Sequence, residues 1–242
     1  MYHSVGKPHT GDTYGLTTSA SGFDEQLRLI QSLGLSVVPV TKQAVCTLSD
    51  RASQIGITFD DGFEDNIGAA EILERYNYPF SIYMIASQIG KPGFLNANQL
   101  RELSKSKNCT IGAHGLSHQP MGAMNSKNQS FELVSSKAIL EDALGMQVDT
   151  MSLPHGSLNR RTQELGQRAG FDLICSSRPG LNSHTDLNIF HLRRTEVRPA
   201  HTANTFCNLL FGSQDWKQWI YFGRAIAPLA RSQWRPYRPF LD

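Results

Sequence analysis

Residues 57–66 read Ile-Thr-Phe-Asp-Asp-Gly-Phe-Glu-Asp-Asn, and the fold can be deduced outward from this stretch. Its apolar residues alternate as in a short buried strand, which ends on Asp60 and Asp61. Gly62 follows, and from Glu64 onward apolar residues recur at helical spacing. In α/β folds the carboxyl end of a strand is where the chemistry is carried out. Because adjacent side chains at a strand end point in different directions, the two acids can have different roles, one on a metal and one on a proton.

A second stretch, residues 109–118, reads Cys-Thr-Ile-Gly-Ala-His-Gly-Leu-Ser-His and is organised in the same way. A short apolar strand leads to His114, and His118 follows four residues later. Two imidazoles at that spacing can bind one ion, and two His with one Asp make a hydrolytic metal site. Considered separately, Asp-Asp-Gly is good turn material and a His pair is ordinary polar loop content. Their combination in one chain favours the metal site.

These motifs resemble the signatures of a known family. Thr58-Phe59-Asp60-Asp61-Gly62 and His114-Gly115-Leu116-Ser117-His118 resemble the first two motifs of the polysaccharide deacetylases, metal-dependent carbohydrate esterases similar to chitin and chitooligosaccharide deacetylases. Ser152-Leu153-Pro154-His155-Gly156-Ser157 resembles the third, Arg-x-Pro-Tyr-Gly, and Met1-Tyr2-His3-Ser4-Val5 resembles the first strand of a subgroup involved in exopolysaccharide synthesis. The resemblance covers most of residues 1–200 and implies an α/β fold, a distorted, incomplete (β/α) barrel of about seven strands.

The resemblance also implies a role for each motif residue. The expected metal ligands are Asp61, His114 and His118. Zinc is the first expectation for the metal, with cobalt and nickel as alternatives. Asp60 would take the proton from the attacking water, and a backbone N–H near Pro154 and His155 would stabilise the oxyanion with the metal.

The chain departs from the family pattern in two places. Ser152 stands where the family has an Arg that orients the base, and serine cannot supply a guanidinium fork. We hypothesise that Arg194 reaches Asp60 instead; the alternative is a surface arginine paired with Glu196. The family's Leu-x-His motif, which carries the general acid, has no clean match. The candidates for that acid are His3, His155, His184, His191 and His201.

The resulting prediction is a metal-dependent hydrolase that removes an N-acetyl group from an amino sugar in a polysaccharide, oligosaccharide or lipid-linked glycan. One alternative keeps the metal site but changes the substrate to an O-acetyl ester or a non-sugar amide. Another is a degenerate, non-catalytic glycan-binding domain, suggested by Ser152 and the absent Leu-x-His motif. A nucleophilic serine hydrolase is not expected, since no Gly-x-Ser-x-Gly elbow occurs.

Bulk properties narrow the class of protein. The 242 residues are 40% hydrophobic, which suits one catalytic domain spanning 1–242. A formal charge of +2 gives no electrostatic case for nucleic acid. The four cysteines lie far apart without a CxxC pair, which predicts reduced, mostly buried thiols. No apolar run reaches the ~18 residues of a membrane span, and no signal-like segment opens the chain, so a cytoplasmic protein is expected.

Along the chain, strand and helix patterns alternate, which predicts a parallel sheet. The expected strands are 1–5, 35–40, 55–59, 80–85, 109–113, 147–153, 172–176 and 189–192. The expected helices are 23–33, 64–76, one capped by Asn96, 131–144 and 159–168, with 119–130 polar and flexible. Residues 212–242 crowd tryptophans and tyrosines among arginines. We expect a helical tail packed on the barrel, the alternative being a surface for peripheral contact with an interface or a partner.

Overall fold

The structure is a computed structural model. It describes residues 1–8, 12, 14–47, 54–183, 185 and 187–212. The predicted helical tail, apart from its first residue, and His184 lie outside the described residues.

Strands and helices alternate along the described chain, as predicted. The strands are β1 (Ser4–Val5), β2 (Thr17–Thr18), β3 (Ser36–Val37), β4 (Gln54–Ile55), β5 (Ile57–Phe59), β6 (Phe80–Met84), β7 (Cys109–Ala113), β8 (Thr150–Ser152) and β9 (Leu173–Cys175). The helices are α1 (Ala20–Ser32), α2 (Lys42–Cys46), α3 (Asn66–Arg75), α4 (Ala97–Ser104), α5 (Ser126–Leu144), α6 (Arg160–Arg168) and α7 (Ala203–Phe211). None of these helices combines the length and the apolar character that a membrane crossing needs.

The central sheet has the order β5-β6-β7-β8-β9, and every neighbouring pair in it is parallel. Each edge is extended by one parallel bridge, from Tyr2 to Phe59 on one side and from Leu192 to Cys175 on the other. Five strands and two bridged segments give seven positions around a curled half-barrel. The prediction of an α/β, distorted and incomplete (β/α) barrel is confirmed.

The sheet is buried on both faces, as expected for a parallel sheet. Most buried apolar side chains lie in one cluster that includes the helices. A smaller cluster around Tyr83, Leu173 and Leu192 packs on the other face, because successive strand residues point to opposite sides. Phe59, at the end of β5, is fully buried, and its ring lies within 5.7–6.2 Å, centroid to centroid, of Tyr2, Phe23 and Phe80.

The predicted elements differ most from the structure in three places. The strand expected over 35–40 is only Ser36–Val37, and it pairs with β4 outside the central sheet. Pro39 follows closely, and proline cannot donate a ladder hydrogen bond. Residues 189–192 form a single bridge at Leu192 and no strand. The stretch 119–130 is not a flexible loop, because it contains a 3-10 turn, Met121–Ala123, and the first turn of α5.

The reason for the third error is that polar residues in this stretch have structural partners. The Asn125 side chain accepts a hydrogen bond from the Asn128 N–H and caps α5. Gln129 is fully buried, donates to the Met124 carbonyl and accepts from the Thr162 hydroxyl. The cap at Asn125 is local, but the Thr162 partner of Gln129 comes from tertiary structure and leaves no trace in the hydrophobic pattern.

Two smaller predictions concern a helix cap and the cysteines. Asn96 caps α4 in a capping box with Gln99, as expected. All four cysteines are free thiols, but only Cys175 and Cys207 are buried, and Cys46 is exposed.

Truncating Phe59 tests the aromatic core. We expect Phe59→Ala to lower the free energy of unfolding by about 3–5 kcal/mol, because a large cavity remains at a fully buried position. Urea unfolding followed by circular dichroism measures it. Phe131→Ala is the matched control: its side chain is 62% exposed, and a change under about 0.5 kcal/mol is expected. Equal losses in the two variants would contradict the assignment of Phe59 to the core.

Candidate metal centre

The turn after β5 separates its two carboxylates. Asp60 continues the strand, since its N–H donates to the Tyr2 carbonyl (3.0 Å), and its side chain is buried. Asp61 and Gly62 both have left-handed backbone angles, with φ of 74° and 77°. A Cβ on Gly62 would lie 2.1 Å from the Met84 sulfur, so only glycine fits this close approach. The turn therefore directs Asp60 and Asp61 to different partners.

The two histidines follow β7. The His114 N–H donates to the Met84 carbonyl (2.8 Å), which extends the ladder, and its Nδ1 lies 2.8 Å from the Ser152 carbonyl oxygen. That contact makes Nδ1 the protonated nitrogen and leaves Nε2 as the lone-pair atom, an arrangement typical of metal-ligating histidines. His118 lies four residues on, at a left-handed φ of 62°. The turn between His114 and His118 thus brings the two side chains together.

Asp61, His114 and His118 converge. Asp61 Oδ1 lies 3.4 Å from His114 Nε2 and 3.2 Å from His118 Nε2. The three ligand atoms lie within 4.8 Å of one another, and no other such group occurs among the described residues. Asp61 Oδ1 is buried without a hydrogen-bond partner among those residues. One carboxylate and two imidazole donors are a set that suits zinc, cobalt or nickel. The residues present therefore fit a divalent metal.

Asp60 is paired with Arg194. The guanidinium Nη1 and Nη2 lie 2.7 and 2.8 Å from Asp60 Oδ1 and Oδ2, a bidentate geometry. Arg194 is 8% exposed, and Glu196 pairs with Arg198. The hypothesis that Arg194 reaches Asp60 is confirmed, and the alternative of a surface pair with Glu196 is wrong.

Arg194 is held on every side. Its Nε donates to the Ser176 carbonyl (3.0 Å), Nη1 donates to the Thr58 hydroxyl (3.0 Å), and the guanidinium carbon lies 5.3 Å from the Tyr83 ring centroid. Ser152, which occupies the family's arginine position, donates its hydroxyl to Asp60 Oδ2 (3.0 Å) and accepts from Arg194 Nη2.

The electrostatics favour an ionised Asp60. Burial alone would raise the pKa of Asp60, but the Arg194 charge and hydrogen bonds outweigh it and hold the pKa well below its ordinary value. Burial likewise opposes ionisation of Asp61, yet His114 and His118 hold its pKa well below the ordinary range. Both carboxylates are thus acceptors at neutral pH.

Pro154 and His155 lie in a 3-10 turn, Pro154–Gly156, that follows β8. Pro154 is buried, and His155 is exposed with a left-handed φ of 55°. The His155 ring centroid lies 4.7 Å from that of His118. Partial burial lowers the pKa of His155, and the nearby His118 charge lowers it further. The structure places this turn beside the metal ligands; the oxyanion role stays a prediction.

The remaining histidines differ in location. His3 directly follows Tyr2, whose carbonyl accepts from the Asp60 N–H. Burial lowers the pKa of His3, while the charges of Asp60 and Asp61 raise it. The charges that act on His191 come from Arg178 and Arg193, and those that act on His201 come from Arg198 and Glu196. Among the described candidates, His3 and His155 are beside the site, and His191 and His201 are not.

One contact residue was not predicted. Glu132, on α5, accepts hydrogen bonds from the loop between His114 and His118. No sequence signal distinguishes it, because a glutamate within a helix is ordinarily solvent-exposed.

Removing Arg194 tests the buried pair. We expect Arg194→Ala to lower the free energy of unfolding by about 3–5 kcal/mol at neutral pH, because Asp60 would remain buried without its partner. Chemical denaturation measures the loss. The neighbouring Arg193→Ala is the control, with an expected change within about 0.5 kcal/mol. A loss at residue 194 no larger than that of the control would contradict the energetic role of the pair.

Relatives and solved structures resemble this chain in sequence and in fold. The YxkH protein of Bacillus subtilis (strain 168), whose name places it among the polysaccharide deacetylases, is 25% identical over 210 residues, which cover 85% of this chain and 73% of YxkH. The Streptococcus pyogenes deacetylase PplD, solved in complex with acetate, superposes with a TM-score of 0.76 at 20% identity, over 86% of this chain and 95% of PplD. IcaB from Ammonifex degensii superposes with a TM-score of 0.73 at 21% identity, over 90% of this chain and 94% of IcaB.

The structural matches support the fold, and the sequence supports the family. The polysaccharide deacetylase profile matches residues 48–174, just over half of the 242 residues, and that span includes Asp60, Asp61, His114 and His118. The chain belongs to the polysaccharide deacetylase family.

Proposed function

We propose that this chain is a metal-dependent hydrolase that removes an N-acetyl group from an amino sugar in a polysaccharide, oligosaccharide or lipid-linked glycan. Membership of the family supports a deacetylase role and a glycan substrate. The observation that carries the proposal is the convergence of Asp61, His114 and His118 beside the buried, ionised Asp60.

Asp61, His114 and His118 would hold the divalent ion, for which we propose zinc, with cobalt and nickel as alternatives. A bound metal of this kind lowers the pKa of a water towards ~7 and polarises the carbonyl of the acetamide. The Ser152 carbonyl supports the ligand set by fixing the tautomer of His114.

Asp60 is proposed as the base that accepts the proton of the attacking water. Its Oδ2 lies 3.9 Å from His114 Nε2, so the carboxylate faces the ligand cluster. Arg194 and Ser152 together make three hydrogen bonds to Asp60. A carboxylate has about four lone-pair sites, which leaves capacity for one water. Arg194 thus orients the base without blocking it.

For the oxyanion we propose a backbone N–H of the Pro154–Gly156 turn, as the sequence resemblance implied. The position of His155 next to His118 supports this proposal. The side chain of His155 would then line the site at the point where the acetyl group is held.

For the proton that the leaving nitrogen needs, we propose His3. It is half-buried, the charges of Asp60 and Asp61 act on it, and its buried Nδ1 has no hydrogen-bond partner among the described residues. An imidazole can give up a proton near neutral pH, which suits this role.

A non-catalytic role was suggested by Ser152, and the contacts of Arg194 weaken that suggestion. The guanidinium that position 152 lacks comes from position 194, with bidentate geometry on Asp60. The subgroup of exopolysaccharide synthesis, the cytoplasmic location and a peripheral contact through residues 212–242 stay predictions from the sequence.

The function is tested by acetate release from N-acetylglucosamine oligomers, together with metal analysis of the purified protein. We expect about one zinc per chain and measurable release. Asp60→Asn should retain the metal and lose at least about 100-fold in kcat, because the base is gone. His114→Ala should lose both metal and activity.

A folded wild-type protein that takes up no metal when zinc is supplied would contradict the proposal. Metal binding with turnover only on O-acetyl esters or non-sugar amides would show that these compounds, and not N-acetylated amino sugars, are the substrate class. Metal binding without any turnover would favour the non-catalytic glycan-binding alternative.

A pair of histidine variants tests the proton donor. We expect His3→Ala to lower kcat by about 100-fold or more with little change in zinc content, since general acid catalysis typically contributes about 10²–10⁴-fold. His191→Ala is the matched control and should keep wild-type kcat. If the two variants had equal rates, His3 would not be the donor.

A further inference from the structure

The loop that connects the two histidines has an unusual backbone. Gly115 and His118 both have left-handed φ values, 72° and 62°. On one side the loop is held by the chain after β6, because the Gly115 and Leu116 carbonyls accept from the N–H groups of Ala86 and Ser87, each at 3.0 Å. The N–H groups of residues 116 and 117 point the other way, towards α5.

Glu132 of α5 receives those N–H groups. Its Oε2 accepts from Leu116 N–H (2.8 Å) and Ser117 N–H (2.9 Å), and its Oε1 accepts from the Ser117 hydroxyl. Glu132 is only 6% exposed, which is rare for a glutamate. Three donors therefore surround one nearly buried carboxylate, and these hydrogen bonds offset the cost of burying it.

The contact requires an acceptor at position 132. One carboxylate oxygen accepts from both loop N–H groups, and the other accepts from the Ser117 hydroxyl. In a Glu132→Ala variant all three hydrogen bonds would be lost. Glutamine is a milder change, because its carbonyl oxygen can accept from both N–H groups while its NH₂ donates to the Ser117 hydroxyl, which can also accept.

The contact acts on one metal ligand and not on the other two. His114 is held by its own backbone bond to Met84 and by the Ser152 carbonyl, and Asp61 is held by the turn after β5. His118 is half-buried, and its side chain lies against the Asp61 carboxylate and the rings of His114 and His155. The orientation of the His118 side chain thus depends on the backbone at residues 116–117, immediately before it.

We propose that Glu132 is a positioning residue for the metal site: it fixes the backbone of residues 116–117 so that His118 Nε2 faces Asp61. This inference rests on the proposed metal site. Groups that orient metal ligands typically contribute about 10- to 100-fold in metal affinity, and Glu132 contributes within that range through His118.

The test is the zinc dissociation constant of the full chain, measured by competition with a chelator. Glu132→Ala should weaken zinc binding by about 10- to 100-fold while the circular dichroism spectrum stays native. Glu141→Ala is the matched control, because Glu141 lies on the same helix but accepts from Val148 N–H and pairs with Lys137. The control should keep wild-type affinity.

A double-mutant cycle with His118→Ala separates positioning from general support of the fold. Once His118 is absent, Glu132→Ala should have no further effect on zinc affinity. Equal weakening in both backgrounds would overturn the inference, as would unchanged affinity in the single variant. If Glu132→Ala fails to fold, Ser117→Ala removes one of the three hydrogen bonds and should weaken zinc binding less, again only when His118 is present. Wild-type zinc affinity in the Ser117→Ala variant would then overturn the inference.

Failure of this inference and failure of the proposed function give different results. A wild-type chain that binds no zinc overturns both. A wild-type chain that binds zinc and releases acetate, with an unaffected Glu132→Ala variant, overturns only the positioning role of Glu132.

Discussion

The buried ion pair between Arg194 and Asp60 joins the two edges of the curled sheet. Asp60 follows β5, the first strand of the sheet, and Arg194 lies two residues beyond the bridge of Leu192 to β9, the last. Taking both charges out of water costs several kcal/mol per ion, and only excellent geometry compensates for that cost. Here every guanidinium nitrogen has an acceptor, from Asp60, Ser152, Thr58 or Ser176. These contacts require the two edges to lie side by side, and so they favour the barrel-like curl.

The parallel sheet then determines where the chemistry lies. Parallel strands end at one edge, so Asp60 and Asp61 after β5, His114 after β7 and the Pro154–Gly156 turn after β8 meet there. The left-handed turn at Asp61 and Gly62 divides the two acids between separate environments. Asp60 lies against a cation, with capacity left for one further hydrogen bond, while Asp61 lies against two imidazoles. The two aspartates therefore have different partners because their side chains point in different directions.

Positions 152 and 194 illustrate how the guanidinium expected beside Asp60 can come from another part of the chain. A guanidinium there would hold the proposed base ionised and oriented, but its chain position is not prescribed. The small side chain of Ser152 lies in contact with both Arg194 and Asp60, so the guanidinium occupies space that an arginine at 152 would itself need. Arg194 reaches Asp60 from another part of the chain, and Ser152 adds a hydrogen bond to Asp60. A motif that departs from its family pattern is therefore not by itself a sign of a lost site.

The sequence alone determined the strand–helix order, the parallel sheet and the identity of the three converging ligands, because hydrophobic periodicity and short motifs at strand ends are local properties. It also suggested Arg194 as the partner of Asp60 from the missing arginine at 152. Only the tertiary structure decided which of the histidines considered as the general acid lies near the carboxylates. The same holds for where α5 begins and why Glu132 is buried. Each of these depends on groups far apart in the chain: His3 on Asp60, Gln129 on Thr162 and Glu132 on residues 116–117. Such partners are set by packing, and a single sequence does not record them.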